Sequence, residues 1–258
     1  MNDIENFINE KISENELRDL KYSERLNRFY IERYTNNYKY FFKNISGFLF
    51  FLQIRKKKLL EEKIKKIPFI SKLIEKTGFK DFDFCRLVEL EKNIIKNKPK
   101  IIFEFGAGIS TVWMSYIVNK FKLNCKIFSF ENNEFYLDKL KKNLDNEILK
   151  NITFCPRALK LFKYKNRRFV RYDNMPPLDN VELLYIDGPV MYDYKENENI
   201  KFIKSGDIIH ILSKGLSSPK IILTDGKYDL YPAINEFKKY KKKFDRVYRS
   251  VTYEKVNE

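Results

Sequence analysis

The chain has 258 residues, of which 43% are hydrophobic, 16% aromatic and 33% charged. So much apolar material builds a sizeable core and excludes wholesale disorder, while 8 Gly and 8 Pro exclude a collagen-like or Gly/Pro-rich polymer. Lys+Arg of 51 against Asp+Glu of 35 leaves a net charge of +16, a surface that attracts phosphates, acidic glycans or anionic lipid.

The chain opens Met1-Asn2-Asp3-Ile4-Glu5, acidic and polar with no apolar run behind it, so no secretory signal is expected. Residues 1–95 carry helical patterning. Leu26, Tyr30, Tyr34, Tyr38 and Phe42 recur every fourth position along one drifting helical face. The apolar run 45–54 is far short of the roughly 20 residues that span a bilayer. Arg55-Lys56-Lys57-Lys58 follows it at once. Ile64, Ile67, Ile70, Leu73 and Ile74 return to helical spacing, Pro68 breaks or restarts the helix, and Thr77-Gly78 stops it. Over 39–80 basic side chains far outnumber acidic ones. A basic, aromatic, amphipathic segment of this kind either caps a neighbouring domain or lies on an anionic membrane surface.

From residue 96 short apolar runs alternate with amphipathic stretches. Strands are expected at 101–105, 125–130, 152–155, 181–186 and 220–223. Helices are expected at 110–119, 134–144, 208–213 and 231–240, with one or two closing strands in 246–256. Continuous apolar strands alternating with helices predict an α/β fold, a doubly wound, mostly parallel sheet with helices on both faces. The domain division expected is a helical extension over 1–95 and a ligand-binding domain over 96–258. The basic tract 157–171 contains no acid and is expected as a loop or lid at the ligand edge. Cys85, Cys125 and Cys155 are an odd, scattered set without a CxxC pair, which points to reduced thiols, a cytoplasmic location and no thiolate zinc site.

The chemistry concentrates at strand ends. Glu104-Phe105-Gly106-Ala107-Gly108 closes the first strand and Ser110-Thr111 opens the next helix. Glycines there permit a tight turn and close approach of a ligand to the backbone, and Ser110 or Thr111 can cap the helix and present a hydroxyl. Glu131, 23 residues beyond Gly108, ends the second strand, where a carboxylate accepts both ribose hydroxyls of a nucleoside. NAD and S-adenosylmethionine both use this geometry. Thr111 stands where a dinucleotide fingerprint needs Gly or Ala, and Glu104 would repel a pyrophosphate but suits a cationic amino group. Leu184-Tyr185-Ile186-Asp187-Gly188-Pro189 places Asp187 at the end of the fourth strand. Asp225, in Thr224-Asp225-Gly226, ends the fifth as a second carboxylate or a turn residue. His210 reads as a packed or surface helix residue or a general base, and Trp113 as a core residue or one lining the cofactor pocket.

On Glu104–Gly108, Glu131 and Leu184–Pro189 the chain resembles the class I S-adenosylmethionine-dependent methyltransferases, Rossmann-like enzymes, over roughly 96–250. The resemblance implies S-adenosylmethionine as cofactor. It puts Glu104, Gly106, Gly108, Ser110 and Thr111 around the methionine part, Glu131 on the ribose, Ala158 near adenine and Asp187 beside the reactive methyl. No base-methylation motif follows the fourth strand, so transfer to a hydroxyl is expected, with Asp187 as orienter or base. Some O-methyltransferases of this layout hold a divalent metal on acids at the positions of Asp187 and Asp225. Mg²⁺ thus remains open and no metal ligand is assigned. The acceptor expected is a sugar, glycan precursor or related small molecule, nucleotide- or lipid-linked, with residues 38–80 at the inner face of the membrane. The other readings are an RNA methyltransferase, an NAD-dependent oxidoreductase or epimerase, and a non-catalytic adaptor.

Overall fold

The computed structural model describes residues 59, 61–77, 85–164, 167–176, 178, 180–189, 191–193, 201–203, 205–213, 219–225, 239–245 and 250–256. The expected features at 26–58, and with them the part of the membrane-contact segment expected at 38–80 that runs to residue 58, lie outside these residues, as do 231–238 of the helix expected at 231–240. Among the described residues no helix is long and apolar enough to cross a membrane.

Seven strands form one sheet. In chain order they are β1 (Ile101–Phe105), β2 (Lys126–Glu131), β3 (Ile152–Pro156), β6 (Leu183–Ile186), β9 (Ile221–Asp225), β10 (Tyr240–Asp245) and β11 (Ser250–Lys255). Their lateral order is β10-β11-β9-β6-β1-β2-β3. Only β11 runs against the rest, paired antiparallel with β9 on one side and β10 on the other. The expected doubly wound sheet is therefore present. Tyr240, expected at the end of a helix, instead opens the edge strand β10. Lys241, Lys242 and Lys243 lie along that edge, a composition that discourages pairing with another chain.

The strands are apolar because both faces are covered. On one face lie α1 (Pro68–Thr77), α2 (Cys85–Asn97), α3 (Ile109–Lys120), α4 (Glu134–Lys142) and the short α5 (Asn146–Leu149). Ile70, Leu73, Leu87, Leu90 and Ile94 from α1 and α2 share one core with Trp113 and Met114 of α3 and with Ile102, Ile127 and Leu183 of the sheet. The described residues of 61–77 and 85–97 thus pack in the same core as the sheet. Pro68 restarts the chain after a helical turn at 61–65, as its missing N–H allows at a first helical position.

On the other face, among the described residues, α6 (Asp207–Ser213) packs beside a hairpin of β4 (Leu159–Tyr164) and β5 (Arg167–Tyr172). The basic tract expected as a lid is this hairpin. It is held down by Val170 and Tyr172, both fully buried, and Tyr172 packs edge-on against Phe105 at 5.7 Å. Gly206 sits under it, its N–H donating to the Val170 carbonyl at 2.8 Å. In the antiparallel register Lys160 faces Arg171 and Lys163 faces Arg168, pairs that repel. Asp173, 3.6 Å from Arg171, offsets the first. A second small hairpin joins β7 (Met191–Asp193) to β8 (Lys201–Ile203).

Candidate functional site

The strand order reverses at β1. It pairs with β2 on one side and, after the chain has crossed over, with β6 on the other. Open α/β sheets bind ligands at the carboxyl ends of the strands at such a switch point. Phe105, Glu131 and Ile186 end these three strands together, so Gly106–Gly108, Glu131 and Asp187 converge from different parts of the chain.

Gly106 makes the turn, with φ +96. A Cβ on it would fall 2.9 Å from the Gly188 nitrogen, so the loops after β1 and β6 touch backbone to backbone. The Gly106 N–H donates to the Phe130 carbonyl at 2.9 Å and the Asp187 N–H to the Phe105 carbonyl at 2.8 Å, extending both ladders one step past the strands. Gly108 is extended and needs no glycine for its backbone angle. What it provides is room, since a Cβ there would meet the Tyr136 hydroxyl at 3.4 Å.

Glu104 is wholly buried. Ser110 Oγ donates to its carboxylate at 2.5 Å, Ser129 Oγ at 2.6 Å, and Thr111 Oγ1 donates as well. Thr111 Oγ1 in turn accepts the Gly108 N–H at 2.8 Å. Burial pushes Glu104 up to about 7 against the pull of these hydroxyls, and neighbouring Asp187 adds to the rise. Thr111 thus caps the helix start, as expected of Ser110 or Thr111, and the three side chains meet at the sheet–helix junction and tie the glycine loop to β1 and β2. The carboxylate lies on the covered face of the sheet, and the start of α3 seals it.

Glu131 does face the edge, partly exposed. Its Oε1 accepts the N–H groups of Asn132 at 2.9 Å and Asn133 at 3.0 Å. Burial raises its pKa, while the N–H groups of Asn133, Asn132 and Ala107 favour the charged form. Asn133 caps α4 by accepting the Tyr136 N–H at 3.0 Å. That cap swings the Tyr136 ring back over the glycine loop. Its phenol is held well above its usual range by burial, then by Glu131, Glu104 and Asp187, so it stays a hydroxyl donor.

Asp187 is 24% exposed and lies 3.5 Å from the guanidinium of Arg86, itself 7% exposed. Arg86 stands in the first turn of α2. Trp113, buried in α3 as expected, donates Nε1–H to the Leu87 carbonyl at 2.9 Å and so anchors that turn. Ala158 follows β3 beside the Arg157 N–H, which donates to the Glu131 carbonyl at 3.0 Å. The Ala158 carbonyl accepts the Asp173 N–H at 2.8 Å at the base of the hairpin. Asp225 ends β9, and its side chain lies outside the described residues. His210 packs edge-on against Phe162 on α6, away from the strand ends.

The sequence reading missed Arg86 and Tyr136. Tyr136 lies five residues past Glu131 in the first turn of α4, a signal available once the cap at Asn133 is recognised. Arg86 carried no local signal. Among the described residues no three His, Cys, Asp or Glu side chains come together to hold a metal ion.

No family model matches the chain, and no curated protein does. Solved structures similar to it include precorrin-6y C5,15-methyltransferase from Geobacter metallireducens, at 18% identity and TM-score 0.41 over 66% of this chain and 87% of that one. The O-methyltransferase TomG from Streptomyces achromogenes is similar at 9% identity and TM-score 0.42, over 78% and 99%. The Podospora anserina methyltransferase PaMTH1 is similar at 13% and 0.40, over 80% and 88%.

Proposed function

We propose that the chain is an S-adenosylmethionine-dependent methyltransferase acting on a hydroxyl of a sugar, glycan precursor or related small molecule. The observation that carries this reading is the convergence of Gly106, Glu131 and Asp187 at the switch point between β1, β2 and β6, with a buried carboxylate beneath the start of α3. Glu131 holds a carboxylate at the end of β2, beside the strand that carries the glycine loop, where it can accept a ribose diol. Gly106 and Gly108 leave the backbone bare for the methionine portion, and Tyr136 offers a hydroxyl over it. S-adenosylmethionine supplies, when bound, an activated methyl group on a sulfonium.

The protein's own work is then positional. Asp187 would accept a hydrogen bond from the acceptor hydroxyl, aim its oxygen along the line of transfer and take up its proton as the methyl group is transferred. The neighbouring turn Gly188-Pro189 keeps that carboxylate at the edge. Ala158, at the mouth beside Glu131, belongs to the wall against which the base of the nucleoside would rest. The acceptor is nucleotide- or lipid-linked in this reading, and the reaction takes place in the cytoplasm at the inner face of the membrane.

A dinucleotide is disfavoured by Thr111. Its hydroxyl bonds to Glu104 where a pyrophosphate would need an anion-free helix start. An RNA acceptor is disfavoured by the place of the basic tract, whose hairpin packs on a sheet face beside α6. The test is methyl transfer from radiolabelled S-adenosylmethionine to a panel of nucleotide sugars, with total RNA as a parallel acceptor. Label in a sugar fraction supports the reading. Label in RNA alone overturns the acceptor class.

A further inference from the structure

Three carboxylates, Glu104, Glu131 and Asp187, lie at or beneath the ends of β1, β2 and β6, and each is held differently. Hydroxyls hold Glu104 and backbone N–H groups hold Glu131. Asp187 alone of the three is given a full cation, Arg86, at 3.5 Å. The guanidinium is nearly buried, its helix is clamped by the Trp113–Leu87 hydrogen bond, and α2 packs along α3 in the main core. A divalent metal seated on Asp187 would be set against this fixed positive charge, which disfavours it there.

We propose that Arg86 is the permanent counter-cation of Asp187, standing where a metal would otherwise neutralise it, and so sets the net charge that the sulfonium meets. This rests on the methyltransferase reading of Asp187. A bare carboxylate would favour the cationic S-adenosylmethionine over its neutral product, S-adenosylhomocysteine. It would also draw the cation toward itself and away from the line of transfer. Paired with Arg86, Asp187 keeps its hydrogen-bonding oxygens for the acceptor while presenting little net charge to the cofactor. Arg86 is a positioning residue: it acts on the reaction only through Asp187.

The prediction has a sign. Calorimetric titration with S-adenosylmethionine and S-adenosylhomocysteine, in Mg²⁺ and in EDTA, yields the ratio of the two affinities for each variant. R86Q should shift that ratio toward S-adenosylmethionine by on the order of tenfold, from an unscreened charge at a few ångströms in a half-buried site. R86K should keep the wild-type ratio. D187N should move it the other way, because the guanidinium is then left uncompensated, and this variant carries the test should R86Q fail to fold. In the wild type the ratio should be the same in Mg²⁺ and EDTA. A purely structural Arg86 would change both affinities alike, and an unchanged ratio in R86Q and D187N would overturn the proposal. So would a wild-type ratio that follows Mg²⁺. If neither nucleoside binds the wild type, the methyltransferase reading itself falls and this proposal with it, a result distinct from the other two.

Discussion

Gly106 and Gly188 are in backbone contact: a methyl group placed on Gly106 would come to rest 2.9 Å from the Gly188 nitrogen and 3.1 Å from the Asp187 carbonyl carbon. The contact joins the loop after β1 to the loop after β6, so the cradle and the carboxylate beside it form one unit. Gly106→Ala meets two penalties, a left-handed backbone angle and this collision. It should lose about 1–3 kcal/mol of stability and most nucleoside binding. Urea unfolding with a parallel binding titration checks both.

Glu131→Ala should leave the fold intact, because the side chain is partly exposed and its partners are loop N–H groups. Binding of S-adenosylhomocysteine should weaken by about 1–3 kcal/mol, roughly 5- to 150-fold, through loss of a charge-assisted contact to the ribose. Calorimetry measures this directly, and an unchanged affinity in a folded variant would remove Glu131 from the site.

Glu104 ties stability to pH. Its folded value, raised to about 7 from 4.5, means that the folded state holds the proton more tightly than the unfolded chain. The stability from the protonated form is fully present below pH 4.5 and is lost as pH rises through 7, on the order of 3 kcal/mol. Asp207, raised to about 7 by burial despite the Tyr172 N–H at 2.9 Å and Ser205 Oγ at 3.1 Å, acts with the same sign. Urea unfolding at a series of pH values should show a shallower fall between pH 4.5 and 7.5 in Glu104→Gln than in the wild type. Asp207→Asn should lose its own share independently.

Gly206→Ala tests how the hairpin is seated. The added methyl group would fall 2.6 Å from Phe169 Cβ and 2.7 Å from the Phe162 ring. The hairpin must lift, at a cost of about 1–3 kcal/mol. Because the hairpin lies on a face of the sheet, nucleoside affinity should change little. A variant that loses affinity without losing stability would return the basic tract to the ligand edge.

What the sequence made legible is local. Ile101–Phe105, Gly106 and Glu131 lie in one strand–turn–helix–strand unit, and apolar runs with glycine spacing announce such a unit before any packing occurs. Glu104 was legible as a residue but its partners were not: strand alternation puts it on the face that α3 covers, and three nearby hydroxyls then take its oxygens. The hairpin was hidden because Lys160, Lys163 and Arg168 swamp the alternation of Phe162 and Tyr164, and because Lys–Arg cross-strand pairs argue against strand pairing. Arg86 was beyond reach. Its meeting with Asp187 spans about a hundred residues and depends on how α2 packs on α3, which neither local pattern nor charge encodes.

The most direct measurement is a thermal-shift titration of the full chain with S-adenosylmethionine, S-adenosylhomocysteine, NAD and NADP side by side. A ligand present at a hundredfold excess over its dissociation constant stabilises the fold by about 2.7 kcal/mol, a clear rise in melting temperature. Stabilisation by the two S-adenosyl compounds alone is the result predicted from Gly106, Glu131 and Asp187. Stabilisation by NAD or NADP instead, or by none of the four, would contradict it.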